Sequence, residues 1–127
     1  MVTVGKLMKT NLLAVGKDTS VEEAARLMQA CSVGSLLITS EDRPIGIVTE
    51  SDIVRKVVAA QQAPHLVLVE SIMSSPIVGI KEDCQLTHAA ALMNENHTRH
   101  LGVTHGNQLV GMLSVRDLLH PVAIDDF

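Results

Sequence analysis

Two hydroxyl–carboxylate pairs recur at one spacing. Thr49 is followed three residues on by Asp52 in "RPIGIVTESD" (43–52), and Ser114 by Asp117 in "QLVGMLSVRD" (108–117). Each hydroxyl closes an apolar run of strand character, and each acid sits in the first turn of a helical stretch. One chemistry needs no ligand. The pattern [ST]-x-x-[DE] ahead of an apolar helix is a capping box, in which hydroxyl and acid satisfy each other's backbone N–H groups. Such a cap stabilises a helix by about 1 kcal/mol. A second chemistry uses the same geometry. Free N–H groups at a strand-to-helix junction seat a phosphate. The hydroxyl can donate to a phosphate oxygen, and an acid one turn along can accept two hydrogen bonds from a ribose diol. Gly46 and Gly111 lie within the two strands and would let a flat base approach. The two chemistries are compatible, because a hydroxyl can cap when the site is empty and turn to phosphate when it is full.

The elements that must position these pairs are written twice. Residues 4–55 align on residues 69–120 without a gap. Val4 meets Val69, Met8 meets Met73, Ala24 meets Ala89, and Met28 meets Met93. Leu36, Gly46 and Asp52 meet Leu101, Gly111 and Asp117. Such self-similarity fixes the architecture. Each copy opens with a short apolar turn (Val4 to Met8; Val69 to Met73) and a brief strand (Leu12 to Val15; Ile77 to Ile80). An amphipathic helix follows, with Val21, Ala24, Ala25, Met28 and Cys31, or Leu86, Ala89, Ala90 and Met93, at helical spacing. Thr19 and Glu22 have capping-box spacing in the first copy, and Asp83 is the expected cap in the second. Two strands joined by a polar turn come next, "SLLITSEDRPIGIV" and "HLGVTHGNQLVGML". A last helix closes each copy, "ESDIVRKVVAA" and the shorter "VRDLLH". The expected fold is therefore α/β (α+β): two repeats, each strand-helix-strand-strand-helix, related by a pseudo-twofold axis with their sheets packed against each other. The repeats span 1–60 and 69–120. Residues 61–68 link them, with Pro64 marking the break, and the tail 121–127 has no assigned element.

Composition narrows the function. The chain has 127 residues, 46% of them hydrophobic, enough to bury a core. With one Phe and no Trp or Tyr, that core must be aliphatic. The net charge is −4 and no basic stripe is visible. Nucleic-acid binding, which rests on phosphate neutralisation and aromatic stacking, is disfavoured. Cys31 and Cys84 form no CxxC and read as reduced thiols. The start "MVTVGKLMK" lacks an apolar signal core, and no run is long enough to span a bilayer, so a cytoplasmic protein without a membrane partner is expected. The spacing of His97, His100 and His105 matches no ligand pattern, so no metal site is expected. No nucleophile has an evident base, so the chain does not read as an enzyme and no catalytic residue is assigned.

The stretches "VGSLLITSEDRPIGIVTESDIVRKVVA" and "TRHLGVTHGNQLVGMLSVRDLL", with "LMKTN" and "IMSSPIVGI", resemble the cystathionine β-synthase (CBS) domain family. The resemblance runs from Val4 to about Leu119, and several blocks match in order, twice. A tandem pair of this kind is called a Bateman module. The resemblance implies binding of adenosine-containing ligands (AMP, ADP, ATP or S-adenosylmethionine) in two clefts between the repeats. It implies regulation of another protein, and homodimers formed through helices. No cofactor is required, since the nucleotide or S-adenosylmethionine acts as a regulatory ligand. Carried onto this chain, one cleft draws on Pro76, Ile77, Thr98, Arg99 and His100 with Ile47, Thr49 and Asp52. The other draws on Thr10, Leu12, Val33, Gly34 and Ser35 with Met112, Ser114 and Asp117. Aliphatic side chains would sandwich the adenine, and Asp52 or Asp117 would hold the ribose. Asp52 and Asp117 belong to opposite clefts, which makes them a poor catalytic pair. Arg99 and His100 suit a phosphate, so the first cleft is favoured; the second has only Lys9 or Arg116 as cations. The family shows Pro where this chain has Gly102, which is expected to loosen that strand. The rival expectation is an interaction or dimerisation scaffold with non-functional clefts.

Overall fold

The computed structural model describes residues 2–119, and the tail 121–127 lies outside the described residues. The chain divides into two compact units. One is Leu13–Ile77; the other joins the described residues up to Leu12 with those from Val78 on.

The Leu13–Ile77 unit holds β1 (Ala14–Gly16), α2 (Val21–Cys31), β2 (Ser35–Ser40), β3 (Arg43–Thr49) and α3 (Glu50–Ile53). Helix α3 runs on through a wide turn, Val54–Val58, in which the Ala59 N–H donates to the Val54 carbonyl at 2.8 Å. A 3₁₀ turn at Val69–Ser71 follows the linker. The sheet order is β1-β2-β3, with β1 parallel and β3 antiparallel to β2. Period-two alternation puts Leu36 and Ile38 of β2 on one face, where they meet Val21, Ala24 and Met28 from the stripe of α2. Val48, Val57, Val69 and Ile72 complete this core.

The other unit repeats the plan. It contains α1 (Val4–Leu7), β4 (Gly79–Lys81), α4 (Leu86–Glu95), β5 (His100–His105), β6 (Gln108–Ser114) and a last helix, α5, at 115–119. The order is β4-β5-β6 with the same directions. Its core is Val4, Ile80, Ala89, Met93, Leu101, Val103 and Leu113. All the elements read from the repeat are present, with each opening strand beginning two residues later than expected.

Compact units and sequence repeats cut the chain differently. Val69, from the opening of the second copy, sits in the core of Leu13–Ile77, and Val4, its counterpart, sits in the other core. The exchanged segments are tied by paired backbone bonds. Ile47 and Ser74 exchange N–H···O bonds of 3.0 and 2.9 Å, and Lys9 and Met112 exchange bonds of 2.8 and 2.9 Å. Each segment crosses its strand at a glycine. A Cβ on Gly46 would stand 2.8 Å from the Ser74 carbonyl oxygen and 2.6 Å from Met73 Sδ. A Cβ on Gly111 would stand 3.0 Å from the Lys9 oxygen and 2.5 Å from Met8 Sδ. These glycines were expected to admit a flat base. The structure corrects that expectation: the space is filled by the chain itself.

Two caps also differ from expectation. Ser20, not Thr19, caps α2, accepting from the Glu23 N–H at 3.1 Å. The start of α2 is set by a distant bond, Val21 N–H to the Val67 carbonyl at 2.8 Å, which fixes Val21 as the first helical residue. In α4 the capping position falls on Gln85 rather than Asp83, and no side chain caps it. Gln85 aligns with Ser20 in the repeat. Gln85→Ser therefore restores a missing cap and should raise stability by about 0.5–1 kcal/mol, measured as an increased urea midpoint at unchanged slope.

Candidate functional site

The hydroxyl–carboxylate pairs are complete capping boxes. At Thr49 the backbone N–H donates to Asp52 Oδ2 at 2.9 Å, and the Asp52 N–H donates to Thr49 Oγ1 at 3.2 Å. The Thr49 hydroxyl also donates to Asp52 Oδ2, at 3.1 Å. At Ser114 the N–H donates to Asp117 Oδ2 at 2.8 Å, the hydroxyl donates to the same oxygen at 3.1 Å, and the Asp117 N–H donates to Ser114 Oγ at 3.3 Å. The ligand-free chemistry is thus realised twice in the same form. Both acids are well shielded: the Asp52 side chain is 12% exposed and Asp117 is 9% exposed. Removal from water raises the electrostatic reach of a carboxylate.

The segment beside each box is fixed by a helix end. Helix α2 closes at Ser32 in the left-handed conformation, and Val33 N–H returns to the Met28 carbonyl at 3.0 Å. The counterpart of Ser32 after α4 is His97, also left-handed, and Thr98 N–H returns to the Met93 carbonyl at 3.0 Å. Such turns cap the orphan carbonyls of a helix. They deliver Val33, Gly34 and Ser35 to one box: Ser35 pairs with Thr49 in the sheet, and Glu50 N–H donates to the Gly34 carbonyl at 3.0 Å. They deliver Thr98, Arg99 and His100 to the other: His100 pairs with Ser114, and Val115 N–H donates to the Arg99 carbonyl at 2.9 Å.

The sixteen expected residues therefore fall into two neighbourhoods. Ile47, Thr49, Asp52, Pro76 and Ile77 share the Leu13–Ile77 unit with Val33, Gly34 and Ser35. Thr10, Leu12, Met112, Ser114 and Asp117 share the other unit with Thr98, Arg99 and His100. Ile47 is buried, Met112 and Ile77 are half-buried, and Thr10 and Pro76 are exposed. Thr98 is held locally: its hydroxyl donates to the His100 carbonyl at 3.1 Å and accepts from the His100 N–H at 3.3 Å. Arg99 is exposed. Gly102 donates its N–H to the Val78 carbonyl at 2.8 Å, so the strand keeps a ladder bond there that proline could not make.

One residue was not singled out from sequence. Lys56 Nζ lies 3.1 Å from Asp52 Oδ1 and donates to the Ile72 carbonyl at 2.9 Å. The i,i+4 spacing from Asp52 to Lys56 was the available signal. Lys56 also borders an open hollow of about 630 Å³ lined by Leu66, Leu68, Glu70 and Ile72. Neither Thr49 nor Asp52 lines it. Its wall mixes aliphatic side chains with Lys56, Gln62, Glu70 and Ser71. Among the described residues no three His, Cys, Asp or Glu side chains converge as for a metal, and no helix is long and apolar enough to cross a membrane.

Comparison with known proteins follows the same two halves. The family model of the CBS domain matches residues 4–59 and again 69–123. The chain belongs to the CBS domain family. It is 33% identical over 120 residues to a protein of Methanopyrus kandleri, covering 93% of this chain and 61% of that one. It is 36% identical over 117 residues to a 17.7 kDa protein of Acidianus ambivalens, covering 91% and 70%. The chain thus spans about three fifths of the Methanopyrus protein's length. Among solved structures, a protein with CBS domains from Burkholderia ambifaria superposes with a TM-score of 0.92 at 32% identity, covering 99% and 97% of the two chains. A hexameric CBS-CP12 protein from bloom-forming cyanobacteria gives 0.88 at 29% identity, covering 99% and 74%. This CBS chain has the α+β fold expected of it, built on two three-stranded sheets.

Proposed function

We propose that this CBS pair is a non-catalytic, cytoplasmic regulatory module that binds adenosine-containing ligands, AMP, ADP, ATP or S-adenosylmethionine, at its two capping boxes. The observation that carries the reading is the shielded carboxylate of each box. It is held through one oxygen by its own hydroxyl partner, and acceptor positions remain on the other, one of them taken by Lys56 in the case of Asp52. A group used only for capping gains nothing from spare capacity, whereas a diol needs it. The backbone neighbours of each box support a phosphate side at Asp117. Arg99 and His100 adjoin Ser114 and Val115 through backbone pairing, which supports a guanidinium and an imidazole serving the Asp117 site. Val33, Gly34 and Ser35 accompany Thr49 and Asp52.

Ligand binding regulates only if it favours one shape of the module over another. A homodimer mate or a regulated protein would read that shape. A second reading, the interaction scaffold, is favoured by one observation: Val54, Val58 and Leu66 are exposed apolar side chains on the α3 extension and linker. The two readings separate in one experiment. Isothermal titration of AMP, ATP and S-adenosylmethionine into the full chain should give saturable heat with at least one of them. No heat with any, and a melting temperature unmoved by all three, would leave the scaffold.

A further inference from the structure

On the reading that each box holds a ribose diol, the two boxes are not equivalent in this chain. An ionised carboxylate offers about four acceptor positions. On Asp117, the Ser114 N–H and hydroxyl fill two of them, both at Oδ2. Among the described residues no donor is bonded to Asp117 Oδ1. On Asp52, Thr49 fills the same two at Oδ2, and the Lys56 ammonium takes a third at Oδ1. Lys56 is not free to drift, because the Ile72 carbonyl holds its other side at 2.9 Å. The position matching Lys56 in the second repeat is Pro121, which carries no ammonium.

A ribose diol donates two hydrogen bonds. Among the described residues nothing else occupies Asp117, so it can accept both. Asp52 has one position left and can accept both only when Lys56 withdraws. We infer that Lys56 is a specificity-determining residue that holds the Asp52 carboxylate closed to a diol, so that the Asp117 box fills first and the Asp52 box fills only at higher ligand concentration. The two boxes then answer different concentration ranges of one ligand.

The test is isothermal titration of adenosine into the full chain. Adenosine has no phosphate, so loss of a lysine charge cannot weaken it by removing a phosphate contact. The expected pattern is two unequal binding events, the tighter lost in Asp117→Asn and the weaker lost in Asp52→Asn. Lys56→Met should tighten the weaker event by about two- to fivefold, the range set by displacing a half-exposed ion pair. Lys56→Gln, which keeps a donor for the Ile72 carbonyl, should do the same and carries the test if Lys56→Met does not fold. The inference is overturned if Asp52→Asn removes the tighter event, or if neither Lys56→Met nor Lys56→Gln strengthens the weaker one. Adenosine failing to bind while AMP binds would overturn the inference but spare the adenosyl reading. Silence from adenosine, AMP, ATP and S-adenosylmethionine would end both.

Discussion

Gly46→Val should lower the melting temperature of the chain by about 10 °C or prevent folding, the result of forcing extra carbon into a filled space at a cost of about 3 kcal/mol. The reason is the backbone behind the glycine. The Ser74 carbonyl would lie 2.8 Å from the first added carbon, and Ser74 is itself tied to Ile47 by two backbone bonds. Relief would break the exchanged segment away from β3 and pull Val69 and Ile72 from the core. Gly111→Ala should be milder. There the Lys9 oxygen stands at 3.0 Å, and the nearer atom, Met8 Sδ, is the end of a flexible side chain. A Cβ on Gly16 would meet nothing within 4 Å, so Gly16→Ala should fall within about 0.5 kcal/mol of the parent. Thermal melts of the three variants check the order.

Asp117→Ala should weaken ligand binding at its box by about ten- to a hundredfold, since hydrogen bonds to a charged acceptor are worth about 1.5–3 kcal/mol. It should also destabilise the chain, because the Ser114 N–H and hydroxyl lose their shared acceptor. A cap of this kind contributes about 1 kcal/mol. Asp117→Asn separates the two roles. The amide oxygen can still accept from the Ser114 N–H, so stability changes little, while the charge that favours the diol is gone. Ligand titration beside urea melts of the two variants should therefore show similar losses of affinity and different losses of stability. Equal affinity in the parent and both variants would reduce the carboxylate to a cap.

Much of this was legible in the chain. The repeat announced two copies of one unit, and the paired strands read in "SLLITSEDRPIGIV" and "HLGVTHGNQLVGML" are found in both. The capping boxes were legible because both partners lie within one turn of each other. What escaped depends on contacts between residues distant in sequence. The role of Gly46 is set by Met73 and Ser74, and that of Gly111 by Met8 and Lys9. A signal was present: methionines and glycines recur together in both copies, Met8 with Gly46 in one and Met73 with Gly111 in the other. Yet each glycine packs against the methionine of the opposite copy, an exchange that no local pattern encodes. The caps slipped for the same reason. Thr19 and Ser20 are equally able caps, and Val67, far along the chain, decides between them.

The most direct test of the central claim is amide chemical-shift mapping of the full chain during titration with AMP. The account predicts that the largest shifts fall on Ser114 to Asp117 and Thr98 to His100, followed at higher concentration by Thr49 to Asp52 and Val33 to Ser35. Shifts centred on the linker hollow around Leu66 and Glu70, with the amides of Ser114, Asp117, Thr49 and Asp52 unmoved at saturation, would contradict it.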